Sequence, residues 1–353
     1  MSEPSRDHDI PARRWRRGHT AIAVTLVILA AAVILGISSL DLPRVGEALV
    51  DASPGWVLAS VGLMATSLLM RSISWHQTLR AALPDTPMPW PPVVRATMIG
   101  VMASAVFPGR IGEPVRIVVL SRRLDGSNRT LVPIVAGTVF SQTLINILAL
   151  ILLAAITFTE IPSLHGHLNG IESVLALPLA VVVLVVLGPR LLALARRSRW
   201  ERLRRGGDLV ARALVLARRG LTVFARPRYG VAAVSAQLIA WGLQWLACYM
   251  VILALGLQSH AGLATAAAIL LAINVSAILP ATPSNVGVFQ AACLVVLAAS
   301  GVGAGPGLAY GIILQAVEVL TALMLGIPAL VREGLRWSDL RPALQGAAED
   351  IEP

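Results

Sequence analysis

The chain has no lysine and only two cysteines, and charged residues make up 14% of its 353 positions, against roughly 25% in soluble domains. Two cysteines, Cys248 and Cys293, both inside apolar runs, exclude a disulfide framework and read as small core residues. So low a charge content excludes a solvated or disordered chain. The histidines are few and scattered; His165 and His167 are two ligands in a loop, too few for a metal site, and neither a metal nor a cofactor is expected. No HExxH, GxSxG, phosphate-binding-loop or paired-cysteine pattern occurs, and no segment is long and polar enough to form a soluble catalytic domain.

What fills the chain instead is apolar sequence. Hydrophobic residues make up 56% of it and the mean hydropathy is +0.76. Residues 20–40, 52–70, 130–159 and 173–189 carry no charge, and between 229 and 331 the sole Asp, Glu, Lys or Arg is Glu318. A helix needs roughly 20 apolar residues to cross the hydrocarbon of a bilayer. Barrel strands would alternate polar and apolar, and these runs do not. The expected fold is an all-α polytopic membrane protein. The first run is too long for a signal-peptide core and lacks a small-residue cleavage site, so it reads as a retained span.

The net charge of +10 is all arginine, and in a soluble protein it would point to nucleic acid. Here the arginines cluster at the ends of apolar runs, which is the signature of topology, and no nucleic-acid partner is expected. Arg13, Arg14, Arg16 and Arg17 precede the first span and place the N-terminus in the cytoplasm. Twelve arginines against Glu201 and Asp208 make 190–228 a cytoplasmic loop able to touch anionic headgroups. Alternating from there, six full spans are expected at about 20–39, 54–72, 131–158, 173–189, 229–256 and 306–331, with both termini inside. On this reading 1–19 is a basic tail, 20–331 the membrane domain and 332–353 a second cytoplasmic tail. Residues 41–51 and 159–172 become outer loops, and the second span ends at Arg71. The glycosylation-like Asn128-Arg129-Thr130 falls on the cytoplasmic side and is discounted.

Two regions, 93–120 and 262–299, are not simple spans. Each breaks near its middle at Pro and Gly, in FPGRIGEP and PATPSNVG, and reads as a hairpin of two short helices with a polar elbow. The second could equally be two complete spans. The structural elbow residues are Pro108, Gly109 and Gly112 in the first and Pro280, Pro283 and Gly287 in the second. Ser104 to Pro108 aligns with Ser276 to Pro280, and Ile111-Gly112 with Val286-Gly287. Each hairpin sits between two full spans, and the two units, 54–158 and 229–331, enter from opposite sides. That is the pattern of an inverted repeat, whose interrupted segments point to a transport site.

Candidate binding residues follow from this frame. Pro114 suits the first turn of a helix, whose free N–H groups and positive dipole end favour anions. Arg110 in the elbow and Arg116 one turn in would then grip a phosphate, with Glu113 orienting either arginine. The plainer alternative is a cytoplasmic elbow in which Glu113 caps its own helix. In the second elbow Ser284 or Asn285 would cap the next helix, and Gln290 and Asn274 would either meet a headgroup or tie helices together. Glu318 sits in mid-span, where an ionised carboxylate costs about 3 kcal/mol, so it should be protonated, paired or facing water. Gln142 and Asn146 share a face of the third span, and Gln315 occupies the matching place before Glu318.

The stretches FPGRIGEPVRIVVLSRR and LPATPSNVGVFQAACLVVL resemble the integral-membrane family named for the lysylphosphatidylglycerol synthase transmembrane region, a flippase-like family, over about residues 20–331. Pro108, Gly109, Arg110, Gly112, Glu113 and Arg116 match a P-G-R-x-G-E-x-x-R pattern, and Pro280, Pro283, Gly287, Phe289 and Gln290 a second, P-x-x-P-x-x-x-G-x-F-[EQ]. The last span, ILQAVEVLTALMLG, resembles the closing helix of the family. Many members carry charged residues early in the third span, where this chain has Gln142, Thr143 and Asn146; many have Glu at the place of Gln290 and Gly at that of Ser284. The resemblance implies lipid movement across a bacterial inner membrane, with membrane lipids as partners. Synthase activity is not expected, because the chain stops at 353 without the soluble transferase domain. A membrane-embedded transferase using a lipid-linked donor, and a scaffold for a separate lipid-modifying enzyme, are the alternative readings.

Overall fold

The computed structural model describes residues 42–106, 111–124, 128–160, 222–277 and 285–334. The expected spans at 20–39 and 173–189, nearly all of the arginine-rich loop, the N-terminal tail, the second tail beyond 334, and Pro108, Gly109, Arg110, Pro280 and Pro283 lie outside the described residues. Every regular element within them is helical: α1 Leu42–Val50, α2 Pro54–Ala82, α3 Trp90–Val106, α4 Gly112–Ser121, α5 Asn128–Glu160, α6 Thr222–Ala225, α7 Pro227–Ala254, α8 Leu263–Ser276, α9 Val288–Ala299 and α10 Ala304–Glu333. Four of these, α2, α5, α7 and α10, contain a stretch long and apolar enough to cross a membrane.

Three expectations on boundaries change. Residues 41–51, expected as a loop, contain the helix α1, which packs against α10. The second span does not end at Arg71: α2 runs on to Ala82, roughly 17 Å further at 1.5 Å per residue, and carries Arg80 in its last turn. The reason lies in Ser72, Ser74, Trp75, Thr78 and Leu79, which are buried and hold this polar-looking stretch inside the protein. Third, the helix α9 is capped by Gly287 and not by Asn285. Gly287 has φ 89°, a value that favours glycine, and its N–H donates to Gln290 Oε1 at 2.7 Å.

Both hairpins form. In the first, the start of α3 and the end of α4 are fastened to one carboxylate. Arg95 and Arg123 both pair with Glu333, at the end of α10, and Arg123 Nη2 also donates to the Glu333 carbonyl at 3.0 Å. In the second, Thr265 near the start of α8 meets Ser300 just past α9, hydroxyl to hydroxyl at 3.3 Å. The arms α8 and α9, of 14 and 12 residues, reach only roughly 21 and 18 Å, short of the roughly 30 Å hydrocarbon. The tight crossing of α3 and α4 is built on Gly100 and Gly112, where a Cβ would collide with the facing backbone. Gly112 therefore serves close approach, whereas its counterpart Gly287 serves backbone conformation.

The spans pack with their polar faces inward. α2 and α7 are antiparallel and share the most extensive interface, with Ser53 N donating to Ala254 O at 2.8 Å and Ser60 Oγ to Ala247 O at 2.9 Å. The buried stripe Ser60, Met64, Ser67, Ser74, Thr78 recurs every three to four residues, and Arg71 lies on the same line. Outer faces are apolar, as in Leu320, Met324, Ile327 and Val331 along α10. Without a hydrophobic force between helices in lipid, small residues and interhelical hydrogen bonds supply the packing. Gly307 and Gly311 of α10 let α9 approach, Gly311 lying against Gln290, and Gly326 lets α3 approach at Met102. Tyr310 is fully buried and donates to Cys248 O at 2.9 Å. Cys248 and Cys293 are both free and buried, as expected.

The Glu333 cluster yields a stability prediction. Its carboxylate is 2% exposed while its partners are 27% and 48% exposed, so the arginines left by Glu333→Gln can turn to water. The loss should then be about 1–2 kcal/mol, below the 3–5 kcal/mol of a wholly buried pair. Thermal unfolding in detergent should show it, and Arg122→Gln, outside the cluster, should have no such effect.

A candidate intramembrane binding site

Several of the candidate residues meet in one hydrogen-bonded chain between α2, α4, α5 and α7. Arg116, 8% exposed, is placed by the first turns of α4. Its Nη1 donates to Gln142 Oε1 at 2.8 Å, its Nη2 pairs with Glu113, and its guanidinium lies 4.8 Å from the Trp75 ring centroid. Glu113 thus pairs with Arg116 and makes no side-chain cap, which decides between the two roles open to it.

Gln142 is the junction. Its Nε2 donates to the Arg71 carbonyl at 3.1 Å and reaches Gln237 Oε1 at 3.5 Å. Gln237 Nε2 donates to Asn146 Oδ1 at 2.6 Å, and Trp241 Nε1 donates to the same oxygen at 3.2 Å. Gln142 and Asn146 therefore share a face and a network, as their spacing of four predicts. Trp75 is held by donating Nε1 to Thr138 Oγ1 at 3.0 Å.

Arg71 enters from α2. Its Nη2 donates to Gln244 Oε1, and its guanidinium lies 5.9 Å from the Trp241 ring centroid. Glu318, on α10, makes no hydrogen bond or ion pair among the described residues. Glu318 is thus neither paired by contact nor fully buried.

A second, smaller cluster stands on α9 and α10. Gln290 Nε2 donates to Gln315 Oε1 while Gln290 Oε1 accepts the Gly287 N–H. This matches the first site: a residue early in the second hairpin arm bonds a glutamine on the following span, 26 positions on for Arg116–Gln142 and 25 for Gln290–Gln315. Asn285 lies ahead of α9 with φ 53°, in the turn. Asn274 donates to the Leu270 carbonyl of its own helix at 2.8 Å and so ties no helices together through that bond.

Arg71, Gln237, Gln244, Trp75 and Trp241 were not singled out by sequence. The signal available was a polar residue every third or fourth position through 60–78, and the spacing of seven between Gln237 and Gln244, which puts both on one helix face. Arg71 was hidden because a basic residue after an apolar run reads as the end of a span.

The helices and this interior chain of polar groups define a multi-pass α-helical membrane protein. The family model of the lysylphosphatidylglycerol synthase transmembrane region matches residues 21–326, and the chain belongs to that family. No curated protein matches the chain.

Proposed function

We propose that the protein is a lipid transporter of the flippase type, moving a phospholipid or another polar-headgroup lipid across a bacterial inner membrane. The observation that carries this reading is the chain Glu113–Arg116–Gln142–Gln237–Asn146 with Arg71 beside it, inside helices whose outer faces are apolar. Polar and charged side chains at membrane depth are costly and mark pathways for polar cargo.

The contacts support an inverted repeat of units 54–158 and 229–331. The first arm of each hairpin packs on the last span of the other unit, α3 on α10 and α8 on α5. The second arm packs on its own last span, α4 on α5 and α9 on α10, and the opening spans α2 and α7 meet antiparallel. The two hairpins are then re-entrant from opposite faces and complete, with the spans at 20–39 and 173–189, a domain of six full spans. The ends of α2 and α10 and the starts of α3 and α7 bring Arg80, Arg95, Arg123, Arg226, Arg228 and Arg332 to one end of the molecule. Such an end fits the cytoplasmic side, with both termini there.

In this mechanism Arg110, Glu113 and Arg116 receive an anionic headgroup from the cytoplasmic side, and Gln142, Asn146, Gln290, Gln315, Asn285 and Glu318 line its route. The pairing of Glu113 with Arg116 counts against Glu113 as the free base a transferase would need. The test is translocation of headgroup-labelled phospholipid by purified protein in liposomes. Arg110→Ala should slow it about tenfold or more, the weight of a hydrogen bond to a charged group, without loss of folded protein. An unchanged rate removes Arg110 from the mechanism, and no rate above protein-free liposomes for any lipid removes the transporter reading.

A further inference from the structure

The two interior arginines are not in the same state. Arg116 has both terminal nitrogens in use, one on Gln142 and one on the carboxylate of Glu113, and a tryptophan face against it. Arg71 has only neutral partners in contact, Gln244 and the ring of Trp241, and its Nε has no hydrogen-bond partner. A guanidinium carries five N–H donors in a planar fork. Most of that fork on Arg71 is unused.

Glu318 stands on α10, which packs against α2, and its charge acts on Arg71 with no hydrogen bond or ion pair between them. Both residues are partly accessible. Two opposite charges this deep in a membrane protein would gain strongly by closing on one another, because the low dielectric magnifies their attraction. Arg71 is instead in contact with Gln244 and Trp241, both on α7. The two charges stand apart, and most of the arginine's donors have no partner among the described residues.

We propose that Arg71 is the residue that grips the phosphate of an anionic lipid headgroup in the interior of the protein, and that Glu318 is the counter-charge this phosphate replaces. This rests on the transporter reading and deepens it. A phosphate diester offers two oxygens to the fork, the geometry arginine satisfies best. Once bound it stands close to the Glu318 carboxylate, and the repulsion keeps binding reversible, as a carrier requires. Glu318 therefore works against tight binding, and Arg71 works for it.

The experiment measures binding of fluorescent-tailed phosphatidylglycerol to the purified full chain in detergent, with unlabelled phosphatidylglycerol and inorganic phosphate as competitors. Arg71→Gln should weaken binding on the order of tenfold or more. Arg71→Lys, which keeps the charge and loses the fork, should recover only part of it. Glu318→Gln should tighten binding severalfold and slow release. The double variant Arg71→Gln with Glu318→Gln removes both charges, should elute as folded protein, and should bind more weakly than wild type but less weakly than Arg71→Gln alone. Weaker or unchanged binding by Glu318→Gln overturns the exchange. Unchanged binding by folded Arg71→Gln overturns the site while leaving the transporter reading intact. If wild type binds and translocates no phospholipid, that reading fails with it. Displacement of the probe by inorganic phosphate but not by unlabelled phosphatidylglycerol assigns the site to a soluble anion and overturns the lipid assignment.

Discussion

Gly112→Val should leave almost no folded protein in the membrane. A Cβ at this position runs into the Gly100 carbonyl and the Ser104 hydroxyl, and the first of these is backbone in a packed helix. The converse also holds, since a Cβ on Gly100 would lie 2.8 Å from the Gly112 carbonyl. Relief requires moving α3 and α4 apart. That displaces Arg116 and strains the grip of Arg95 and Arg123 on Glu333. Overpacking in a close contact costs about 1–3 kcal/mol when side chains can adjust, and here the backbone must move, so about 3 kcal/mol or more is expected. The control is Gly62→Ala. Gly62 lies inside α2 with nothing within 4 Å of its added Cβ, so the change should be neutral or stabilising by about 0.5–1 kcal/mol. Yield and monodispersity on size exclusion compare the two. A wild-type elution profile for Gly112→Val would mean that the hairpin arms do not cross there.

Arg116→Leu should be the more damaging of two equivalent changes in the two halves, the other being Gln290→Leu. Both residues bond a glutamine on the following span. Arg116 adds the pairing with Glu113 and the Trp75 face. Its bond to Gln142 is charge-assisted and worth about 1.5–3 kcal/mol, and the cation–ring contact about 0.5–2 kcal/mol. The Glu113 side is 53% exposed, so its carboxylate can return to water and adds little. A loss of about 2–4 kcal/mol is expected. Gln290 contributes a neutral bond to Gln315 and the cap on Gly287, together about 1–2 kcal/mol. Thermal unfolding of the two variants in the same detergent ranks them. Equal losses would mean that the charge on Arg116 is not held by the network.

The difference between these halves bears on how much could be read in advance. The breaks between α3 and α4 and between α8 and α9 were legible because proline and glycine act on their own backbone. That Gln142 and Asn146 share a helix face was legible because helical spacing is local. Glu113 was left between two roles, because a first-turn carboxylate can bond either to the helix end or to a neighbouring arginine, and the positions of the side chains decide which. Gly112 was seen as a breaker, yet what it serves is contact with Gly100 on another helix.

The sequence by itself determined that this is a helical membrane protein, where four of its long helices run and where two hairpins break. Each of these depends on the transfer of one segment from water to lipid or on the backbone freedom of one residue, both local quantities. Tertiary structure alone decided which polar groups meet. Arg71 bonds Gln244 across a separation of 173 residues, and Arg95 and Arg123 reach Glu333 across 238 and 210. In lipid no hydrophobic force ranks one apolar helix face above another, so the partner is chosen by interhelical hydrogen bonds and close backbone approach. Those exist only once the other helix is in place. Arg71 therefore reads as a cytoplasmic flank in the sequence and stands as an interior charge in the fold.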